Sequence, residues 1–81
     1  MTRDSFALVM GSVCQRPPAP IDDLRWQAVA SLHEDWQAMR VLQGRPGAPL
    51  DEFCRWLLAP EGFALLGQKM AGLARRAQVP A

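Results

Sequence analysis

Apolar side chains recur three and four positions apart through residues 22–43, the spacing that places them on one face of an α-helix. That face is formed by Leu24, Ala28, Val29, Leu32, Trp36, Met39 and Leu42. A second, thinner stripe runs beside it through Trp26, Ala30, His33, Gln37 and Val41. The pattern predicts a helix with a wide uncharged surface, so two neighbouring elements could contact it.

Polar and helix-breaking residues mark both ends of this helix. Asp22 or Asp23 can accept hydrogen bonds from the free N–H groups of the first turn and can offset the helix dipole. Gly44 suits the left-handed conformation that often follows a helix, and Pro46 prevents the helix from continuing. A helix of about 20 residues spans about 30 Å, so it should cross the whole domain.

Residues 5–15 fit two patterns. A helix would gather one apolar side, formed by Phe6, Val9, Met10 and Val13. Ser5 or Asp4 could cap that helix. A strand is the alternative, because residues 6–10 are a continuous apolar run and Gly11 weakens a helix by about 1 kcal/mol relative to Ala. We favour the helix, since no other segment alternates with the period of two that a partner strand needs.

Proline and glycine divide the rest of the chain into two connectors and two further helices. RPPAP at residues 16–20 cannot form a helix interior and is predicted to be a stiff connector. QGRPGAP at residues 43–49 is the second break. Residues 50–58 then form a short helix, and residues 61–78 form the last one, which Pro60 can begin because its missing N–H is not needed there.

The last predicted helix carries an apolar stripe that contains small residues. Its larger members are Phe63, Leu66, Met70, Leu73 and Ala77. Gly67 and Ala74 lie on the same side, so another helix could approach this stripe closely. Leu65 lies on the opposite side beside Lys69, either as an ordinary exposed leucine or as an anchor for a second chain. The predicted core consists of Trp36, Phe53, Trp56, Phe63 and Met70.

One segment of the chain resembles part of a known family. FCRWLLAPEGFALL, residues 53–66, is similar to the helix, Pro-Glu-Gly turn and helix near the end of periplasmic solute-binding proteins. The resemblance covers about a sixth of the chain. It implies a helix, a turn and a helix over residues 50–78, and it implies no function.

The totals of the 81-residue sequence fit one small helical domain, residues 1–81. Hydrophobic residues make up 49% of the chain, which is enough for a core. The net charge of +1 gives no overall attraction to phosphate or to an anionic membrane surface. A transmembrane helix needs about 18–20 uncharged residues in a row, and no run in the sequence is that long. Asp4 weakens the resemblance of the N-terminus to an export signal. We therefore expect a cytoplasmic protein without membrane association.

The chain offers few groups for catalysis or metal binding. Its single histidine, His33, has no metal ligand three or four residues away, and Glu34 and Asp35 point in other directions on a helix. Cys14 and Cys54 form no CxxC motif. The sequence favours two free thiols, with one disulfide as the alternative. No glycine-rich phosphate loop or serine elbow occurs. We predict no enzyme activity, no metal and no cofactor.

Protein association is the predicted function, because the helices carry more apolar surface than four short elements are expected to bury. We predict a small non-catalytic protein–protein interaction module, an accessory or adaptor protein. Its partner would be another protein or a second copy of the chain, as in a homodimer. The interface candidates are Trp26, His33, Val41 and Leu65. For Trp26 the alternative is that the N-terminal helix covers it through Phe6 and Met10.

The alternative function is a helix-turn-helix DNA-binding regulator formed by residues 50–78. Its recognition helix would present Ala64, Leu65, Gln68 and Lys69. Only Gln68 and Lys69 could read or grip DNA, and the near-neutral charge removes most phosphate attraction. Nucleic acid is therefore not the expected partner.

Overall fold

The computed structural model describes residues 1–45, 47 and 49–78. These residues form four helices and no strand: α1 (Arg3–Val13), α2 (Asp23–Leu42), α3 (Leu50–Leu58) and α4 (Pro60–Gln78). The predicted all-α bundle is confirmed, and so is the choice of a helix over a strand at the N-terminus. Pro46, the predicted barrier to continuation of the second helix, lies outside the described residues.

Side-chain caps set where the first two helices begin. Thr2 caps α1: its Oγ1 accepts from the backbone N–H of Ser5 at 3.1 Å, and Ser5 Oγ accepts from the backbone N–H of Thr2 at 3.0 Å. The prediction of Ser5 or Asp4 as the cap is therefore wrong, because Ser5 is the third helical residue of a reciprocal capping box. At α2, Asp22 accepts from the backbone N–H of Arg25 at 2.8 Å, as predicted.

A residue with left-handed backbone geometry lies just after the end of both α1 and α2. Gly44 follows α2 with φ 72°, and the N–H of Arg45 donates to the carbonyl of Arg40 at 2.8 Å, which closes the last turn. Gln15 occupies the same position after α1, with φ 56°, and the N–H of Arg16 donates back into α1 at 2.9 Å. Gly44 fulfils its predicted role, whereas Gln15 adopts a conformation that side chains disfavour.

Gln15→Gly is therefore expected to raise the free energy of unfolding by about 0.5–1 kcal/mol, because relief of left-handed strain exceeds the added flexibility of the unfolded chain. Urea unfolding should show a higher midpoint with an unchanged m-value. Gln43→Gly is the matched control, since Gln43 caps α2 at φ −84° and gains nothing from glycine. Equal effects at the two positions would contradict the prediction.

The core lies where α3 meets the other helices. α3 packs against α1 and α4, and α2 packs against α4. Phe53 of α3 is fully buried, with the rings of Phe6, Trp36 and Trp56 centred 6.4, 5.3 and 6.0 Å from its own. Arg40 of α2 lies 5.2 Å from the centre of the Trp36 ring. The same guanidinium pairs with Glu52 of α3 at 3.1 Å, which ties α2 to α3.

The predicted core is only partly correct. Trp36 and Phe53 are buried, and Trp56 and Met70 are half-buried. Phe63 is 66% exposed, so its assignment to the core is wrong. Two members of the predicted core face of α2 are also exposed, Met39 and Leu42, and Leu42 is the last residue of that helix.

Candidate functional site

The orientation of α4 decides which apolar face remains open. Lys69 Nζ donates to Ser31 Oγ of α2 at 3.0 Å and pairs with Asp35 Oδ2 at 3.2 Å. Leu65 lies on the same side of α4 as Lys69 and packs against the core. The sequence pattern predicts that this side faces solvent. Because α2 holds it inward, Phe63 is turned outward, while Leu66 of the same predicted stripe still packs against the core.

A close backbone contact fixes the corner between α3 and α4. A Cβ built on Gly62 would lie 2.1 Å from the carbonyl oxygen of Trp56 and 3.0 Å from Cα of Leu57, so the two helices touch where only glycine fits. On either side of this corner the side chains of Leu58 and Phe63 emerge at the surface, 49% and 66% exposed. Two large apolar side chains are thus displayed by a rigid turn.

Both side chains line an open cavity of about 340 Å³, which we call the apolar groove. It lies between α1, the connector and α4. Its described lining is apolar apart from two arginines and consists of Phe6, Ala7, Met10, Gly11, Arg16, Pro17, Ala19, Pro20, Ile21, Arg25, Val29, Leu57, Leu58, Phe63, Leu66, Gly67 and Met70. A preformed apolar concavity of this size is typical of sites that bind an apolar partner.

The proline-rich connector forms one wall of the groove. A Cβ built on Gly11 of α1 would lie 2.9 Å from the carbonyl oxygen of Arg16 and 3.1 Å from N of Pro18, so the connector lies directly on α1. Arg3 holds its far end: Nε and Nη2 donate to the carbonyl of Ile21, and Nη1 pairs with Asp23 at 2.7 Å. The predicted stiff connector is therefore fixed in place at both ends.

The four interface candidates predicted from sequence lie in different surroundings. Trp26 is half-buried, with the Phe6 ring centred 6.1 Å away, so α1 covers part of it. His33 is half-buried against α3, 4.8 Å from the Phe53 ring. Leu65 faces α2, and Val41 is 62% exposed near the end of that helix. No aromatic contact or hydrogen bond joins any two of them within the described chain, and their interface role stays a prediction.

The sequence pattern does not identify Leu58 and Phe63 of the apolar groove as an exposed binding surface. A usable signal was present, because α4 carries apolar residues on two sides and only one of them can face α2. Pro60 and Gly62 also mark a tight corner at which neighbouring side chains diverge.

A second cavity, of about 430 Å³, lies between α2 and α4. Leu32, Trp36 and Leu65 line it, and the Asp35–Lys69 ion pair links the two helices there. Among its described lining residues, Met39 alone is a large exposed apolar side chain. The apolar groove, which has two such side chains at a rigid corner, is the better candidate site.

Two titratable groups, Cys54 and His33, have pKa values shifted from the ordinary range. Burial raises the pKa of the Cys54 thiol to about 11, with Cys14 and Asp51 adding to the effect, so the reactive thiolate is disfavoured. Cys14 and Cys54 are free, as predicted. The described residues contain no group of three or more His, Cys, Asp or Glu side chains able to hold a metal ion. Among the four helices, none is long and apolar enough to cross a membrane.

Burial, followed by the charge of the N-terminal amine, lowers the pKa of His33 below 6.5, and Glu34 opposes the shift. The unfolded chain therefore binds the His33 proton at a higher pH than the folded chain does. The free energy of unfolding should fall as pH drops below about 6.5 and level off below the folded pKa.

Urea unfolding at pH values above about 6.5 and below the folded pKa of His33 checks this expectation. His33→Gln removes the titrating ring and should flatten the profile there, because carboxyl groups titrate at about pH 4. A stability that rises as His33 becomes protonated would contradict it.

The helix-turn-helix alternative depends on the front of α4. Ala64 and Gln68 are exposed, but Leu65 packs inward and the charge of Lys69 is engaged by Ser31 and Asp35. These contacts give no support to a DNA-reading surface on this side of α4.

No protein family, curated protein or solved structure shows significant similarity to this chain.

Proposed function

We propose that the protein is a small non-catalytic protein–protein interaction module, an accessory or adaptor protein, and that the apolar groove is its docking surface. The observation that supports this most strongly is the pair of exposed side chains, Leu58 and Phe63, at the mouth of a cavity lined by apolar residues. Exposed apolar patches beside a concavity are typical of surfaces that another molecule covers.

Energetics and rigidity favour this surface. Fully burying an exposed phenylalanine contributes about 1.5–3 kcal/mol, so Phe63 and Leu58 together could anchor a partner. The Gly62 corner and the contact of the connector with Gly11 hold the walls in place. A preformed groove loses little conformational freedom on binding, which raises affinity for a given contact area.

We place this module in the cytoplasm. The two cysteines are unbridged, and Cys54 is buried as a small apolar side chain in the core. Free thiols are the usual state in a reducing compartment.

The proposal is tested with the full-length chain carrying an affinity tag, by capture of associated protein and by solution mass over a range of concentrations. Phe63→Ala should abolish association. Leu8→Ala is the matched control, because Leu8 is 59% exposed on α1 and does not line the groove. A single monomeric species with no captured partner in any variant would contradict the proposal.

Val41→Ala in the same experiment tests the surface predicted from the sequence. Loss of association with Val41→Ala but not with Phe63→Ala would place the interface at the end of α2 instead of at the groove.

A further inference from the structure

We infer that the occupant of this site is a second copy of the chain, paired through an antiparallel contact between two α4 helices. This inference rests on the proposed function, because it names the partner of the same surface. The contact would use four residues on the outward side of α4, Phe63, Gly67, Met70 and Ala74, which we call the α4 stripe.

The α4 stripe has no partner within the chain along much of its length. Phe63 and Gly67 are exposed, and Met70 and Ala74 are half-buried. A Cβ built on Gly67 would meet no heavy atom within 4 Å, so the space above this glycine is open. The four residues recur at three- and four-residue intervals and therefore form one continuous row on the helix surface.

The sizes of these residues match one another in a single antiparallel register. Along the helix, the midpoint between Phe63 and Ala74 falls between positions 68 and 69. The midpoint between Gly67 and Met70 falls at the same place. A two-fold axis through that point places each Phe63 opposite the partner's Ala74 and each Met70 opposite the partner's Gly67. Large side chains thus meet small residues in both pairs, as a self-complementary two-fold interface requires.

The backbone of α4 favours the same antiparallel arrangement, because antiparallel pairing opposes the two helix dipoles. The charged residues at the ends of the helix, Glu61, Arg75 and Arg76, lie away from the α4 stripe, and Arg76 lines the cavity between α2 and α4.

Sedimentation equilibrium from micromolar to near-millimolar concentration tests the inference. The wild-type chain should show a reversible monomer–dimer equilibrium. Phe63→Ala should raise the dimer Kd by at least about 100-fold, because the symmetric interface loses the ring twice. Gly67→Gln should also prevent dimerisation, since the new side chain fills the space that Met70 of the partner subunit needs.

Two further variants separate this pairing from a general effect on α4. Gly72→Gln is the matched control: Gly72 lies on the opposite side of the same helix and also has no heavy atom within 4 Å of a built Cβ. It should leave the dimer Kd unchanged. The combination of Phe63→Ala with Ala74→Phe exchanges the large and small members of one pair and should restore the dimer. Circular dichroism confirms that each variant is folded.

The outcomes distinguish this inference from the proposed function. A wild-type chain that stays monomeric, a dimer that tolerates Gly67→Gln, or a folded exchange variant that stays monomeric overturns the second-copy inference. If the monomer instead binds a different protein through Phe63, the docking surface stands and only the occupant is wrong. A monomer that binds no protein through this surface overturns both.

Discussion

Gly62→Ala should lower the free energy of unfolding by at least about 3 kcal/mol, a large loss for a single added methyl group. The new Cβ would lie 2.1 Å from the carbonyl oxygen of Trp56, and that oxygen belongs to the backbone, which cannot rotate away. This overlap can be relieved only if α3 and α4 move apart at the corner that joins them. A domain of this size has a total stability of about 4–12 kcal/mol, so much of it would be lost.

Gly67→Ala is the matched control for this experiment. The two glycines lie in the same helix, but a Cβ on Gly67 meets nothing within 4 Å. The better helix propensity of alanine should therefore raise stability by about 1 kcal/mol. Urea unfolding of both variants measures the contrast, and equal effects at the two positions would contradict the close contact between α3 and α4.

Phe53→Ala should lower the free energy of unfolding by about 3–5 kcal/mol, a large part of the stability of a domain of this size. Phe53 is fully buried and lies among the rings of Phe6, Trp36 and Trp56, so its removal opens a cavity that the rigid neighbours cannot close. It is also the ring that His33 contacts edge-on at 4.8 Å. Near-ultraviolet circular dichroism and urea unfolding would report the loss of packing.

Phe63→Ala provides the comparison of the same chemical change at a 66% exposed position. It should alter the stability of the monomer by less than about 1 kcal/mol. A large loss at Phe63 with a small loss at Phe53 would reverse the assignment of core and surface.

The helices themselves could be predicted from sequence because their signals are local. Asp22 and Gly44 mark the ends of α2 through capping and a left-handed turn, and Pro60 begins α4 as expected. The predicted start of α1 lies too late in the sequence, because Ser5 on its own resembles an N-cap. In the structure Ser5 is the third helical residue and forms a capping box with Thr2, which is the N-cap.

The rotation of α4 could not be predicted, because it depends on contacts between distant residues. Two sides of α4 carry apolar residues, and the side with Lys69 looked solvated. Its ammonium group is instead satisfied by Ser31 and Asp35, 38 and 34 positions earlier in the chain. That pairing turns Leu65 inward and Phe63 outward, so the apolar groove follows from a tertiary contact that no periodicity within α4 reveals.

α4 packs against the core through the side that carries Leu65 and leaves Phe63 exposed. Urea unfolding of Leu65→Asn and Phe63→Asn, at a concentration low enough to keep the chain monomeric, tests this packing most directly. We predict a loss of about 2 kcal/mol for Leu65→Asn, which places an amide against the core, and less than about 1 kcal/mol for Phe63→Asn. A larger loss for Phe63→Asn than for Leu65→Asn would contradict this packing of α4.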